Sequence, residues 1–146
     1  MVAALIGGIA MYTLQIYAFY EDVPEDQLEV SLTLVATGTS EAIDASEIQA
    51  IDAGSSPIRY RACFRTGHSQ SMLTETYEVY ERAIPLTAPS WFDCFNAEEI
   101  GRALESEQAI AYLSVANVYD GIDRVVAIFD DGRGFAWHQL NEKFQE

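Results

Sequence analysis

The chain has 146 residues, enough for one domain with a core of its own. It carries 23 acidic against 8 basic residues, a net charge of -15 at pH 7. Such a field repels phosphate backbones and makes nucleic acid a poor partner.

The opening run, MVAALIGGIAMYTLQIYAFY, holds no charged side chain over 20 residues. A helix of that length spans about 30 Å, the thickness of a hydrocarbon core, so residues 1–21 read as a transmembrane anchor. Its end carries Tyr17, Phe19 and Tyr20, rings that favour the membrane–water interface. A cleaved signal peptide is the rival reading, but it needs a basic start, a shorter apolar centre and a small-residue cleavage site. Ala3, Ala4, Gly7 and Gly8 form two small-xxx-small pairs, which suit close approach of a second membrane helix. The expected partners are therefore a membrane protein and, through this helix, the lipid bilayer.

Residues 22–27, an acidic stretch around Pro24, read as a linker. Neither flank of the span offers Lys or Arg for the positive-inside rule to count, since the first is Arg59. The usual outcome for an N-terminal anchor then applies. A short tail lies inside, and residues 28–146 form a domain on the periplasmic side of the inner membrane.

Residues 28–35, LEVSLTLV, alternate as a half-buried strand, and ATGTSEAIDAS reads as a loop. EIQAID and IRYRACFR flank the AGSSP break and read as a hairpin-like pair. Residues 69–83 fit a helix, although their second half also alternates like a strand. PLTAPSW, with Pro85 and Pro89, must be irregular. Residues 96–106 form a clearer helix, with Asn96 as cap, Glu99 at the capping-box position and Glu98–Arg102 as an i, i+4 pair. AIAYLSVANV, DRVVAIF and GFAWHQL follow as a meander, with turns at YDGI and at Asp131-Gly132. The expected fold class is α+β: a transmembrane helix, then one domain with a mostly antiparallel sheet and one or two helices.

Few residues suggest chemistry. On a strand, Arg59, Arg61, Cys63 and Arg65 share one face, with Ile58, Tyr60, Ala62 and Phe64 on the other. Three arginines around a thiol suggest an anion or partner contact, or a thiol of lowered pKa; against this, they also serve to neutralise neighbouring carboxylates. Cys63, His68 and Met72 have the C-x4-H-x3-M spacing of a copper loop, which would need His138 as a further ligand. A Cys-x-x-Cys pair is absent. Cys63 and Cys94 read either as a structural disulfide, which an oxidising compartment would form, or as two separate buried thiols. Asp120 and Asp123 read as solvated turn carboxylates, DDGRG as a β-turn, and His138 as an ordinary strand residue. No Ser-His-Asp arrangement, glycine-rich phosphate loop or metal-ligand cluster is present, so no catalytic residue, cofactor or metal is assigned.

The strings IDAGSSPIRYRACF, PLTAPSWFDCFNAEEIG and GIDRVVAIFDDGRGFAWHQLN, with the apolar run before them, resemble an uncharacterised family of small single-span proteins from alphaproteobacteria. Its members are often automatically named histidine kinase. The resemblance implies the anchored architecture and no mechanism. The residues argue against kinase activity, because the chain has neither a phospho-acceptor histidine on a dimerisation helix nor a glycine-rich ATP lid. The leading expectation is a membrane-anchored extracytoplasmic binding module, an accessory subunit of a membrane complex. A ligand-sensing domain of a signalling system is the alternative, its small-molecule ligand unspecified; a thiol or copper-handling enzyme comes third.

Overall fold

The computed structural model describes residues 20–141, apart from 25–26 and 54–55. The expected span, with Ala3, Ala4, Gly7 and Gly8, lies outside the described residues except for Tyr20 and Glu21. Among the described residues, no helix is long and apolar enough to cross a membrane.

The meander forms as its pattern requires. β6 (Ala109–Tyr119), β7 (Ile122–Phe129) and β8 (Arg133–Leu140) pair antiparallel, with Arg124 opposite His138 and Ala127 opposite Phe135. Their turns are made by Gly121 and Gly132, at φ +77° and +93°, a region in which a Cβ is strained. β8 pairs on its other side with β5 (Arg61–Arg65), which pairs with β4 (Ser46–Asp52), so the hairpin-like pair around AGSSP is present. Glu21–Asp22 add a two-residue strand, β1, against Ile51 and Asp52. The sheet order is β1-β4-β5-β8-β7-β6, all antiparallel.

Both faces of this sheet are covered. One face packs Cys63, Val125, Ala127, Phe135 and Trp137 against Phe92, Phe95, Ile100 and Ala103. The other packs Ala62, Phe64, Tyr112, Val126 and Ile128 against Val30, Leu32 and Leu73. Double coverage explains why VVAIF is a continuous apolar run rather than an alternating one.

The strand expected over 28–35 is cut to β2 (Ser31–Thr33), which pairs with β3 (Ser40–Ala42) inside the expected loop. Gly38, at φ +73°, donates its N–H to Leu34 O at 2.8 Å and turns the chain between them. The helix expected over 69–83 is also halved. α1 (Gln70–Thr76) starts at the Ser69 cap and ends at Tyr77, whose backbone is extended. Residues 77–80 instead run along β6, with Tyr80 N–H to Ala111 O at 2.8 Å and Leu113 N–H to Glu78 O at 2.9 Å. An uncovered β6 edge offers unpaired backbone groups, and TYEVY, rich in aromatic and β-branched residues, satisfies them better as a strand than as a helix. α2 (Ala97–Glu105) forms under the Asn96 cap, whose Oδ1 accepts from Glu99 N at 3.1 Å. The Glu99 carboxylate takes Arg133 at 2.7 Å, a charge-assisted bond stronger than the reciprocal capping-box bond expected of it.

The chain between the two cysteines wraps half of the sheet. From β5 it crosses one face as α1, where Gln70 Nε2 donates to Ile128 O at 2.9 Å and Leu73 is fully buried. It passes the β6 edge as residues 77–80 and returns over the other face. There Gln139 Nε2 donates to Arg82 O at 2.9 Å and Arg61 Nη2 to Thr87 O at 2.9 Å. It ends at Cys94, beside its starting strand.

Candidate functional site

Cys63 lies on β5 and Cys94 in the turn before α2; a disulfide joins them, with Cα atoms 6.3 Å apart. Both sulfurs are thereby consumed, which corrects the reading of Cys63 as an activated thiol or as a copper ligand with His68 and Met72. Among the described residues no cluster of histidine, cysteine and carboxylate side chains is placed to hold a metal.

The alternation on β5 holds, but its arginines do not form one patch. Arg61 is 4 % exposed. Its Nη1 donates to the carbonyls of Ile58 and Tyr60, both at 2.7 Å; Nε donates to Leu86 and Thr87 at 3.1 Å. Burial lowers the pKa of this guanidinium from its ordinary value. Arg61 thus ties irregular backbone to the sheet and is not available to a partner. No local signal marks this, because a buried arginine and an exposed one look alike on an alternating strand. Arg65 is exposed and pairs with Glu47 at 3.3 Å. Arg59 sits with its guanidinium carbon 5.6 Å from the centroid of the Tyr20 ring.

Tyr20 is the last residue of the apolar run, and β1 begins at the next position. Its ring packs edge-on against Trp91, with centroids 6.1 Å apart, and Trp91 in turn meets Phe92 at 6.4 Å. Trp91 keeps 37 % of its surface exposed. The bridge at Cys94 and the Arg61 bonds to Leu86 and Thr87 hold the segment that carries this indole.

Sequence reasoning missed a second polar centre. His138 is fully buried and stacks on Tyr60, with centroids 4.8 Å apart and planes 19° apart. Its Nε2 faces Nε of Arg124 at 3.0 Å, and its Nδ1 faces Pro57 O at 2.7 Å. A guanidinium only donates, so Nε2 accepts and Nδ1 carries the proton toward the Pro57 carbonyl. Burial foremost lowers the His138 pKa to about 4, with Arg124 and Arg61 adding to that, so the imidazole is neutral at neutral pH. The Arg124 guanidinium carbon lies 4.2 Å from the Tyr60 centroid. A signal for this pairing exists in the sequence: Arg124 and His138 are equidistant from Asp131, so the Asp-Gly hairpin sets them opposite one another.

Asp123, expected as a solvated turn carboxylate, is 7 % exposed. It accepts from Tyr80 OH and Asn117 N, both at 2.9 Å, and from Asn141 Nδ2 at 3.1 Å. These donors hold the end of the β6–β7 hairpin. Asp131 does serve its turn, accepting from Arg133 N at 3.1 Å.

The family model of DUF6446, described as a family of unknown function, matches residues 30–146. No curated protein and no solved structure matches the chain.

Proposed function

We propose, for a chain that belongs to the DUF6446 family of unknown function, a membrane-anchored extracytoplasmic binding module acting as an accessory subunit of a membrane protein complex. The observation that carries this reading is the seat of Tyr20. The last ring of the apolar run packs on a half-exposed tryptophan, beside an arginine. Amphipathic rings with a nearby cation suit the headgroup level of a bilayer. The disulfide supports a location outside the cytoplasm, where thiols are otherwise kept reduced. In this reading the chain is single-pass in the inner membrane, as in the alphaproteobacterial proteins it resembles, with Ala3, Ala4, Gly7 and Gly8 meeting a partner helix.

The test is extraction of the tagged full-length chain from membranes in mild detergent, followed by non-reducing peptide mapping. The expected result is a membrane-bound chain with Cys63 and Cys94 bridged and a membrane protein co-purifying. Recovery from the soluble fraction with free thiols, or a chain that always emerges alone and monomeric, would overturn the reading.

A ligand-sensing domain is the second reading, favoured by the braced Arg124 beside Tyr60. Specific stabilisation by a small molecule, with no protein partner recovered, would place it first.

A further inference from the structure

Beside β1, the sheet surface dips into a cleft of about 250 Å³ lined by Glu21, Asp22, Asp52, Tyr60, Tyr119 and Arg124. That volume is below the usual range of drug-sized sites, about 300–1,000 Å³, and suits a small polar molecule. Arg124 enters it already oriented. Its Nε–H is held by His138, its carbon lies over Tyr60, and its side chain is only partly exposed.

The two amino ends of that guanidinium take no part in this bracing. Among the described residues no group accepts a hydrogen bond from Nη1 or Nη2, and no carboxylate pairs with Arg124, although Asp52 and Glu21, which pair across β1 and β4, line the same cleft. Neither nitrogen is sealed from solvent, since no partly or fully buried residue described here hides an unbonded side-chain nitrogen. Asp52 is in a matching position. Its Oδ1 accepts from Ala53 N at 2.7 Å, and no donor among the described residues reaches Oδ2. Asp52 feels the charge of Arg124 without touching it, and burial raises its pKa more than that charge lowers it. The cleft therefore holds two opposite charges at a separation that the fold does not close.

We propose that this cleft binds a small zwitterion, with its anionic group on the Nη1/Nη2 fork of Arg124 and its ammonium group on Asp52 and on Glu21, which pairs with Asp52 and so shares its face. A carboxylate or phosphate oxygen pair matches the guanidinium fork in a bidentate manner. A simple anion meets the carboxylates of Asp52 and Glu21 in the cleft, and a simple cation meets Arg124; only a ligand with both charges satisfies both ends. The exposed Tyr119 ring at the mouth adds a face for the ammonium. His138 acts as a positioning residue: it holds Arg124 and stays out of ligand contact. The same chemistry has two sources, a free zwitterion such as a betaine or amino acid, and the phosphoethanolamine headgroup of a lipid. The cleft stands apart from the membrane reading, because Arg124, Asp52, Glu21, Tyr60 and Tyr119 all lie outside the apolar run.

The test is titration of the full chain, in a maltoside detergent, with glycine betaine and phosphoethanolamine, followed by calorimetry and by chemical shifts of the Arg124 side chain. Acetate and ethylammonium serve as single-charge controls. A second arm places the chain in nanodiscs of phosphatidylethanolamine or of phosphatidylglycerol alone. The expected result is saturable binding of a zwitterion, with each single-charge control at least about tenfold weaker. Asp52→Asn and Arg124→Gln should each weaken it by about tenfold or more, and Arg65→Gln, an equal charge change elsewhere, should not. Arg124→Lys covers failure of the glutamine variant to fold, since it keeps the charge but loses the fork. A response to free zwitterion identifies a soluble ligand, and a response confined to phosphatidylethanolamine discs identifies the headgroup. Silence in both arms, equal binding of ethylammonium or acetate, or unchanged affinity in Asp52→Asn overturns the proposal.

Discussion

Arg124 donates its Nε–H to the bare Nε2 of His138 at 3.0 Å, so a cation is held in place by an imidazole that must stay neutral. The His138 pKa falls from 6.5 to about 4 on folding. As pH drops, the unfolded chain takes up this proton first, so the stabilisation is complete above the ordinary value and lost as pH falls toward the folded one. The loss is on the order of 3 kcal/mol. Asp52, with a raised pKa, acts in the opposite sense, so the readout is the difference between wild type and His138→Gln. Urea midpoints should drop more steeply with acidification in wild type than in the variant; parallel profiles would sink this account.

Arg61 and Arg65 lie two positions apart on β5 and should respond very differently. Arg61→Ala leaves the carbonyls of Ile58, Tyr60, Leu86 and Thr87 without their donor and should cost about 2–4 kcal/mol. Arg61→Lys should recover only part of that, because one ammonium cannot reach both backbone segments. Arg65→Ala removes an exposed pair with Glu47 and should fall within about 0.5 kcal/mol of wild type. Chemical denaturation of the three variants checks the ranking.

The bridge joins residues 31 positions apart. On the chain-entropy account, closing such a loop is worth about 3–4 kcal/mol. Cys63→Ser with Cys94→Ser should lower stability by that order. The indole emission of Trp91, whose neighbour Phe92 packs in the same core, should move to the red as the 91–95 segment loosens. An unchanged melting temperature would mean that hydrogen bonds from Arg61 hold this segment unaided.

Gly134 pairs with Phe64 across β5 and β8, and a Cβ there would clash with the edge of the Phe64 ring. Phe64 is 3 % exposed and packs in the core with Leu73, Val126 and Ile128, so its ring yields only if that core shifts. Gly134→Ala should therefore destabilise by about 1–3 kcal/mol, the range for overpacked cores. Adding Phe64→Leu in the same chain should restore part of the loss, which a thermal melt of the double variant would show.

The meander, the capped helix and the paired strands around AGSSP were legible because local rules fix them: Asp-Gly turns, an Asn cap and period-two alternation. Residues 77–80 were not. Their sequence fits helix and strand alike, and the choice lies with the β6 edge, which comes later in the chain. Cys63 and Cys94 were visible as a pair, but nothing local decides whether two thiols meet. Tyr60 and Asp52 escaped notice because neither sits in a motif. They join Arg124 only once β4, β5, β8 and β7 are ranked side by side. Among the three arginines of RYRACFR, the face was readable and the depth was not, since burial of Arg61 is imposed by the returning 84–88 segment.

The disulfide does more than shorten a loop. Residues 63–94 start and end beside β5 and pass over one face of the sheet, around β6 and back over the other. With the sulfurs joined they make a closed covalent ring through which the later chain is threaded three times, as β6, β7 and β8. Oxidation then becomes a question of timing. If the ring closes while the C-terminal third is unfolded, the hairpins must enter it end-on; if they pack first, the ring fastens around a finished insert. Chains refolded reduced and then oxidised should therefore reach the native state sooner than chains refolded with the bridge already made.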